Sequence, residues 1–321
     1  EEKNKNKRVF KEGERLGCQA KINGDVIIDI PEESQVHKQV VRKRAEVRDV
    51  TVNPSTKLYY VEVMPPDIHN PTGDLQRLKI ALEDQWGIKD CQIDLKRIQE
   101  LQILLRKGDW KITCAVFSQK SKQPEIISIW PGFFELPIYG LAVDLGSTTI
   151  AAHLCDLRTG QVIHSAGVMN PQIRFGEDLM SRVSFAMMNK DGTDKLKTAV
   201  REALNELCIQ IVKDCKIDEK QLVEITLVCN PVMHHLFLGI NPTELGQAPF
   251  ALATSDSLYV NSWEIDLTFL RNSKVYILPC IAGHVGADAA AVILSEEPNE
   301  SKDNVLIIDV GTNAELILGN K

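Results

Sequence analysis

The chain has 321 residues, of which 44% are hydrophobic and 25% are charged, and its formal net charge is −7 at pH 7. This length and composition predict two or three globular domains. The negative charge disfavours a general nucleic-acid-binding face, and no apolar run is long enough to predict a membrane span or a signal peptide. The 8 cysteines are scattered without a C-x-x-C pair, which predicts reduced thiols and a cytoplasmic location.

The first 31 residues are predicted to form a hairpin, because Asn23-Gly24 separates two alternating apolar runs. The run Arg15-Leu16-Gly17-Cys18-Gln19 resembles the end of a [2Fe-2S] ferredoxin, where the cysteine is the fourth cluster ligand. The resemblance implies that Cys18 is a cluster ligand. A cluster takes four ligands, however, and the three clustered cysteines that precede it in that family do not occur in this sequence. An ordinary strand cysteine is the alternative interpretation.

The next two segments differ in composition. Residues 32–50 are charged and without periodicity, which predicts a linker. Residues 51–136 contain strand-like runs and segments of helical spacing, so they predict a small α+β domain. No residue spacing in this domain indicates catalysis, and its predicted role is docking or dimerisation.

A turn tipped by an aspartate follows the next apolar strand, in the run Asp144-Leu145-Gly146-Ser147-Thr148-Thr149. The glycine allows the backbone to approach a phosphate closely, and N–H groups in such a turn form an anion-binding concavity. The three hydroxyl residues add donors, and the aspartate is predicted to hold Mg²⁺ directly or through water. Taken alone, the pattern also fits an ordinary hairpin turn.

Residues 137–300 are predicted to form the first lobe of a nucleotide-binding domain. Three consecutive strands followed by helices are the beginning of an RNase H-like α/β fold. One helix carries a predicted core stripe at helical spacing, formed by Leu196, Val200, Leu204, Leu207 and Ile211. The adjacent His234 and His235 point about 100° apart on a helix, which disfavours a shared metal ion.

A second glycine-rich turn follows the strand at residues 275–278. Gly283 and Gly286 permit a close backbone approach, and the N-terminus of the alanine-rich helix that follows favours an anion. Asp288 lies in the first turn of that helix. It is interpreted either as a partner of the helix dipole or as a carboxylate that positions Mg²⁺ or water.

A second aspartate-tipped hairpin lies at the end of the sequence, in the run Asp309-Val310-Gly311-Thr312-Asn313. Glu315 follows two residues later and is predicted to face the same phosphates. Residues 301–321 are predicted to begin a second lobe, since one hairpin cannot form a core of its own. The chain is therefore expected either to be a piece of a longer protein or to be completed by another chain.

The two turns together resemble the phosphate motifs of the actin-like ATPase superfamily, which includes sugar kinases, chaperone ATPases and actin. Further motifs, in their order, resemble the reductive activators of corrinoid proteins. They are the ferredoxin-like end at Cys18, Asn170-Pro171-Gln172, Gly176-Glu177-Asp178 with Ser181-Arg182, Cys229-Asn230-Pro231 with Met233-His234-His235, residues 246–250 and residues 281–288. The sequence departs from the family at Asn230-Pro231-Val232, where Asn-Thr-Thr or Asn-Thr-Ala is usual.

The resemblance implies that a [2Fe-2S] cluster passes one electron to Co(II) of a partner corrinoid protein, driven by Mg²⁺–ATP. It also implies an external low-potential electron donor, and a homodimer remains open. The implied catalytic residues are Asp144 and Asp309. The implied phosphate-binding residues are Gly146, Ser147, Thr148, Thr149, Gly283, Gly286, Asp288, Gly311, Thr312, Asn313 and Glu315. Compared with the family, this sequence is expected to lack the other three cluster cysteines. It is also expected to lack the rest of the second lobe, which carries the adenosine site.

Two alternatives remain within the same superfamily. A small-molecule kinase would require a general base beside a substrate pocket, and no separate carboxylate in the sequence clearly fills that role. A non-enzymatic module whose binding is gated by ATP would require neither a base nor a redox centre.

Overall fold

The computed structural model describes residues 51–120, 122–311 and 314–321, together with residues 21, 23 and 24. The chain divides into two compact units, Glu1–Gln39 and Val40–Lys321, and the elements below belong to the second. Cys18 and most of the predicted ferredoxin-like hairpin lie outside the described residues, as do Thr312 and Asn313.

The small domain is α+β, as predicted. Its described part consists of β1 (Thr56–Glu62), α1 (Asp74–Trp86), β2 (Gln92–Ile93), α2 (Leu95–Lys107), β3 (Lys111–Phe117) and β4 (Glu125–Pro131). The strand order is β1-β3-β4-β2, with β2 parallel to β4 and the other pairs antiparallel. Both helices bury leucines against the sheet, namely Leu78, Leu82, Leu101 and Leu105.

Side chains of α1 cap the exposed backbone groups of edge strand β1. The Gln85 amide donates to the Glu62 carbonyl at 2.8 Å and accepts from the Glu62 N–H at 3.1 Å, as a neighbouring strand would. Trp86 Nε1 donates to the Tyr60 carbonyl at 2.6 Å. A capped edge is a poor template for strand pairing, so docking through this domain would use another surface.

The second domain is an RNase H-like lobe, which confirms the predicted fold class. Its elements are β5 (Tyr139–Leu145), β6 (Thr149–Asp156), β7 (Val162–Met169), α3 (Leu179–Met188), α4 (Gly192–Cys215), β8 (Leu222–Val228), α5 (Pro231–Leu238), β9 (Leu258–Asn261), β10 (Lys274–Ile277) and α6 (Ala287–Glu296). The strand order is β7-β6-β5-β8-β10-β9. Strands β5, β8 and β10 are parallel, so their carboxyl ends meet at one edge of the sheet.

The core of the lobe lies between this sheet and α4. The predicted stripe is confirmed, since its members are fully buried: Leu196, Val200, Leu204, Leu207 and Ile211. Burial of each such side chain contributes about 1.5–3 kcal/mol, so the stripe fixes α4 on the sheet. No pattern in the sequence predicts the short edge strand β9, which pairs with β10.

A separate hairpin follows, formed by β11 (Val305–Val310) and β12 (Ala314–Gly319). One of its faces carries the exposed apolar side chains Leu306, Ile308, Val310, Leu316 and Leu318. The opposite face, with Asp309 and Glu315 in register, is partly buried. Among the described helices, none combines the length and the apolar character needed to cross a bilayer.

The buried His234 on α5 predicts a loss of stability in mild acid. Its side chain is 1% exposed, and neither ring nitrogen has a hydrogen-bond partner in the described part of the chain. Burial, with a smaller contribution from His235, lowers the pKa of His234 from 6.5 to about 4. The unfolded chain therefore takes up this proton first, and stability present above pH 6.5 is lost as the pH falls towards 4. We expect a loss of about 3 kcal/mol across that window.

Urea unfolding at several pH values measures this loss. His234→Leu removes the titrating group and should flatten the pH dependence, whereas His69→Leu, at an exposed loop histidine, should leave it unchanged. Equal acid sensitivity in the wild-type protein and His234→Leu would show that other groups control the loss.

Candidate functional site

The first aspartate-tipped turn joins β5 to β6, and its carbonyl groups point into the lobe. Asn170 donates to the carbonyl oxygens of Gly146 and Thr148, from Nδ2 at 2.9 Å and from its N–H at 2.8 Å. Arg182 Nη2 donates to the carbonyl oxygen of Ser147 at 2.5 Å, and the N–H of Gly146 donates to that of Thr149 at 3.0 Å.

This carbonyl arrangement orients the turn as an anion site. In a trans peptide the N–H points opposite to the C=O, so the N–H groups of residues 147–149 are directed away from the lobe interior. A Cβ atom at Gly146 would lie 2.7 Å from the Thr149 carbonyl oxygen, so the turn requires glycine there. The geometry is that of a backbone concavity suited to phosphate oxygens.

The two predicted hairpins face each other across one cleft of about 280 Å³. Its lining residues are Asp144, Gly146, Ser147, Thr148, Thr149, Asn230, Asp288, Asp309, Gly311 and Glu315. The cleft lies at the carboxyl end of β5, where ligands bind in α/β sheets. Gly146 and Gly311 therefore line the same cleft, as a phosphate site between the two hairpins requires.

The turn before α6 places Asp288 in this cleft. The N–H groups of Ala287 and Asp288 both bond to the carbonyl oxygen of Cys229, at 2.9 and 3.4 Å, which ties α6 to the end of β8. A Cβ atom at Gly286 would lie 2.5 Å from that oxygen and 2.6 Å from the Asn230 Cα. Gly286 is therefore needed for a close contact between backbones, and it does not line the cleft.

The cleft is strongly acidic. Four carboxylates line it, from Asp144, Asp288, Asp309 and Glu315, and its described lining contains no lysine or arginine. Burial and the charges of Asp144 and Asp309 raise the pKa of Asp288, while a bond from the Ala289 N–H opposes the rise. Burial and the charges of Asp288 and Asp309 raise the pKa of Glu315. Such a group of carboxylates is stabilised by a bound cation.

The other predicted positions have different surroundings. Gly283 packs against the backbone of Phe250, and like Gly286 it is not among the residues that line the cleft. His235 bonds through Nδ1 to the Pro231 carbonyl and through Nε2 to the Ala253 N–H, each at 3.0 Å. Within the described residues, no group of three or more histidine, cysteine or acidic side chains is arranged to hold a metal ion.

Three polar residues of the site were not predicted from the sequence. Asn230 lines the cleft, and its Oδ1 caps α5 by accepting from the Met233 N–H at 2.9 Å. Asn170 and Arg182 shape the first turn from behind. All three residues lie in motifs that resemble the family, and those motifs were the only sign in the sequence that they belong to the site. A motif does not show which backbone atoms a side chain contacts.

Comparison with known proteins identifies the family. Residues 139–301 match the model of the RACo middle region, and residues 45–136 match that of the RACo linker region. The corrinoid activation enzyme RamQ of Eubacterium limosum is 30% identical over 311 residues, covering 96% of this chain and 50% of the relative. A [Co(II) methylated amine-specific corrinoid protein] reductase of Methanosarcina barkeri is 25% identical over 193 residues, covering 56% of this chain and 34% of the relative.

A solved structure gives the same result for the fold. The reductive activator for corrinoid, iron-sulfur protein superposes with a TM-score of 0.76 at 28% identity, over 91% of this chain and 48% of that one. The chain thus spans about half the length of RamQ and of this activator, and a third of the reductase. Because the model of the middle region matches half of the residues, the chain belongs to the family of reductive activators of corrinoid proteins.

Proposed function

We propose that the cleft between the two hairpins binds the phosphates of Mg²⁺–ATP. The observation that supports this most strongly is the first turn, where the carbonyl groups of Gly146, Ser147 and Thr148 accept hydrogen bonds from Asn170 and Arg182 of the lobe behind it. The second hairpin closes the cleft from the other side with Asp309 and Gly311. A ligand gripped between two hairpins draws the hairpins together, which is how nucleotide closes a two-lobed protein.

The acidic lining fits a magnesium ion. Mg²⁺ keeps several of its waters and binds through one or two carboxylates together with phosphate oxygens. Carboxylates that surround the cleft without converging on one point match that requirement. Asp144 and Asp309 would hold the ion or its waters, and Asp288 and Glu315 would complete the shell. When bound, the ion neutralises phosphate charge and stabilises the phosphoryl group during transfer.

Asn230 lines the cleft, where its amide would contact a phosphate oxygen or a water. Its amide oxygen is used by the helix cap, so the orientation of its NH₂ group is fixed by the fold. An amide orients water or phosphate but does not remove a proton as a general base. Any general base for hydrolysis would therefore come from the carboxylates that line the cleft.

The described residues do not fit an iron–sulfur cluster. Cys229 and Cys280 are buried, and burial raises the pKa of Cys280 to about 11, so these thiols remain protonated. No cluster-like group occurs in the described part of the chain. An electron-carrying centre would thus be held elsewhere in the full-length protein, where the resemblance at Cys18 indicates a [2Fe-2S] cluster.

For the full-length protein we propose ATP-dependent reduction of a corrinoid protein from Co(II) to Co(I), with one electron from an external low-potential donor. Nucleotide can drive such a step only if it binds one state of the complex more tightly than another. The closing of the cleft on Mg²⁺–ATP would supply that difference. The partners of the full-length protein would be the corrinoid protein and the electron donor.

The test combines full-length protein, an electron donor and a Co(II) corrinoid protein, and follows Co(I) formation by absorbance. We expect Co(I) only when Mg²⁺–ATP is present. A matched reaction with Mg²⁺–ADP should give none. Phosphorylation of a small molecule without Co(I) formation would favour a kinase instead.

A further inference from the structure

Arg182 is buried directly behind the first phosphate turn. It lies on α3, is 0% exposed, and is the largest fully buried side chain among the described residues. Its guanidinium donates from Nε to the Gly176 carbonyl at 3.0 Å, from Nη1 to Gln172 Oε1 at 3.2 Å, and from Nη2 to the Ser147 carbonyl at 2.5 Å. Nη1 also lies 3.3 Å from Met233 Sδ. These acceptors are uncharged.

The charge of this guanidinium is not neutralised locally. Within the described part of the chain, no carboxylate lies within ion-pair distance of Arg182. The acidic group that acts on it is Asp178, which is exposed and accepts from the Ser181 N–H at 2.7 Å. Burial lowers the pKa of Arg182 to about 10, so the side chain is still positive at neutral pH. A buried, unpaired charge is costly, and retaining it indicates a compensating role.

The position of the charge points to that role. A single peptide group, that of Ser147, separates the guanidinium from the cleft, and its carbonyl accepts the Arg182 bond. The N–H of the same peptide is directed to the opposite side, where Ser147 and Thr148 line the cleft. A fixed positive charge in a dry interior acts strongly across such a distance, because little water screens it. The charged side chains in the described lining are all negative.

We propose that Arg182 is a positioning residue for the phosphate chain. It holds the first turn in its anion-binding shape through the Ser147 carbonyl, and it supplies a positive charge behind the backbone that attracts phosphate oxygens. This inference rests on the proposed function, since it requires a phosphate ligand. Beyond that function, we infer that Arg182 makes the affinity depend on the charge of the ligand although its side chain does not contact the ligand.

A matched control exists in the small domain. Arg77 is 4% exposed, and its guanidinium bonds only to carbonyl oxygens, those of Thr72, Pro65 and Asn70, at 2.9, 3.2 and 2.5 Å. Arg77 and Arg182 thus share burial and neutral acceptors but differ in whether they lie behind the turn. Replacing each by methionine removes one buried guanidinium of the same kind.

The experiment measures Kd values of the full-length protein for Mg²⁺–ATP, Mg²⁺–ADP and inorganic tripolyphosphate by calorimetry, with thermal unfolding as the check on folding. Arg182→Met should weaken the binding of ATP and of tripolyphosphate about 10- to 100-fold. The binding of ADP should weaken less, so the preference for ATP over ADP should fall. Arg182→Lys keeps the positive charge but loses the planar set of guanidinium donors. Its affinity for ATP should therefore lie between those of the wild-type protein and Arg182→Met. Arg77→Met should lose stability without a change in any Kd.

Two outcomes would overturn the inference alone. If Arg182→Met and Arg182→Lys weaken binding equally, and ATP and ADP are affected alike, Arg182 only holds the shape of the turn and its charge has no effect on the ligand. Unchanged Kd values in a folded Arg182→Met would exclude both roles. If the methionine variant does not fold, Arg182→Gln, which is neutral and keeps a donor, takes its place against lysine. A wild-type protein that binds neither nucleotide would overturn the proposed function and this inference with it.

Discussion

Replacing Asp144 or Asp309 with alanine is expected to abolish ATP hydrolysis by the full-length protein, lowering kcat by at least about 100-fold. Each aspartate lies at the tip of one hairpin, and the two hairpins line opposite sides of the same cleft. In the proposed site, removing either carboxylate would leave Mg²⁺ and the attacking water without a partner on that side. Both residues are only partly buried, so the substitutions should leave the fold intact.

Phosphate release at saturating Mg²⁺–ATP, with the corrinoid protein present, measures this effect. Asp156→Ala is the matched control, because Asp156 also ends a strand and caps a turn, accepting from the Arg158 N–H at 2.7 Å. It lies opposite Tyr139, at the end of the sheet away from the cleft. Its kcat should be unchanged. Turnover that persists in either cleft variant, or an equal loss in Asp156→Ala, would show that the catalytic residues are misassigned.

Removal of divalent metal is expected to have the second large effect. With EDTA present, the affinity for ATP should fall by at least about 100-fold, because a polyanion would then meet four carboxylates without a cation between them. Burial and the charges of neighbouring carboxylates already raise the pKa values of Asp288 and Glu315 before any ligand adds its charge. Calorimetric titration with Mg²⁺–ATP and with ATP in EDTA measures the difference.

Because the lining is acidic, the affinities for metal-free ATP and for Mg²⁺–ATP should depend on pH in opposite directions. Groups with raised pKa values take up protons at a higher pH than usual, so metal-free ATP should bind better as the pH falls, whereas Mg²⁺–ATP should bind worse. Asp288→Asn removes one of the charges and should improve metal-free binding at neutral pH. Equal affinity for ATP with and without EDTA would show that carboxylates do not control this site.

Local patterns in the sequence were sufficient for much of the fold. The α4 stripe is correct because five buried residues at helical spacing leave one solution for the helix face. The two aspartate-tipped hairpins were also recognisable in the sequence, since each aspartate ends an apolar strand before a glycine. In both cases the information lies within a few residues of the feature that it specifies.

The contacts that shape the site were not predictable in this way. Arg182 bonds to Ser147 and Asn170 bonds to Gly146 across long stretches of chain, so only the folded lobe brings these atoms together. The two glycines of the turn before α6 were also misleading as signals of a ligand. Gly283 and Gly286 were expected to approach a phosphate, but the backbones that they approach belong to Phe250 and Cys229. A glycine signals a close contact without showing what it contacts.

Hydrogen exchange of the full-length protein, with and without Mg²⁺–ATP, tests the nucleotide site most directly. We expect nucleotide to slow exchange of the backbone amides in both hairpins, at residues 145–149 and 310–315, within one experiment. Protection of only one hairpin, or protection confined to other parts of the chain, would contradict binding of ATP between them.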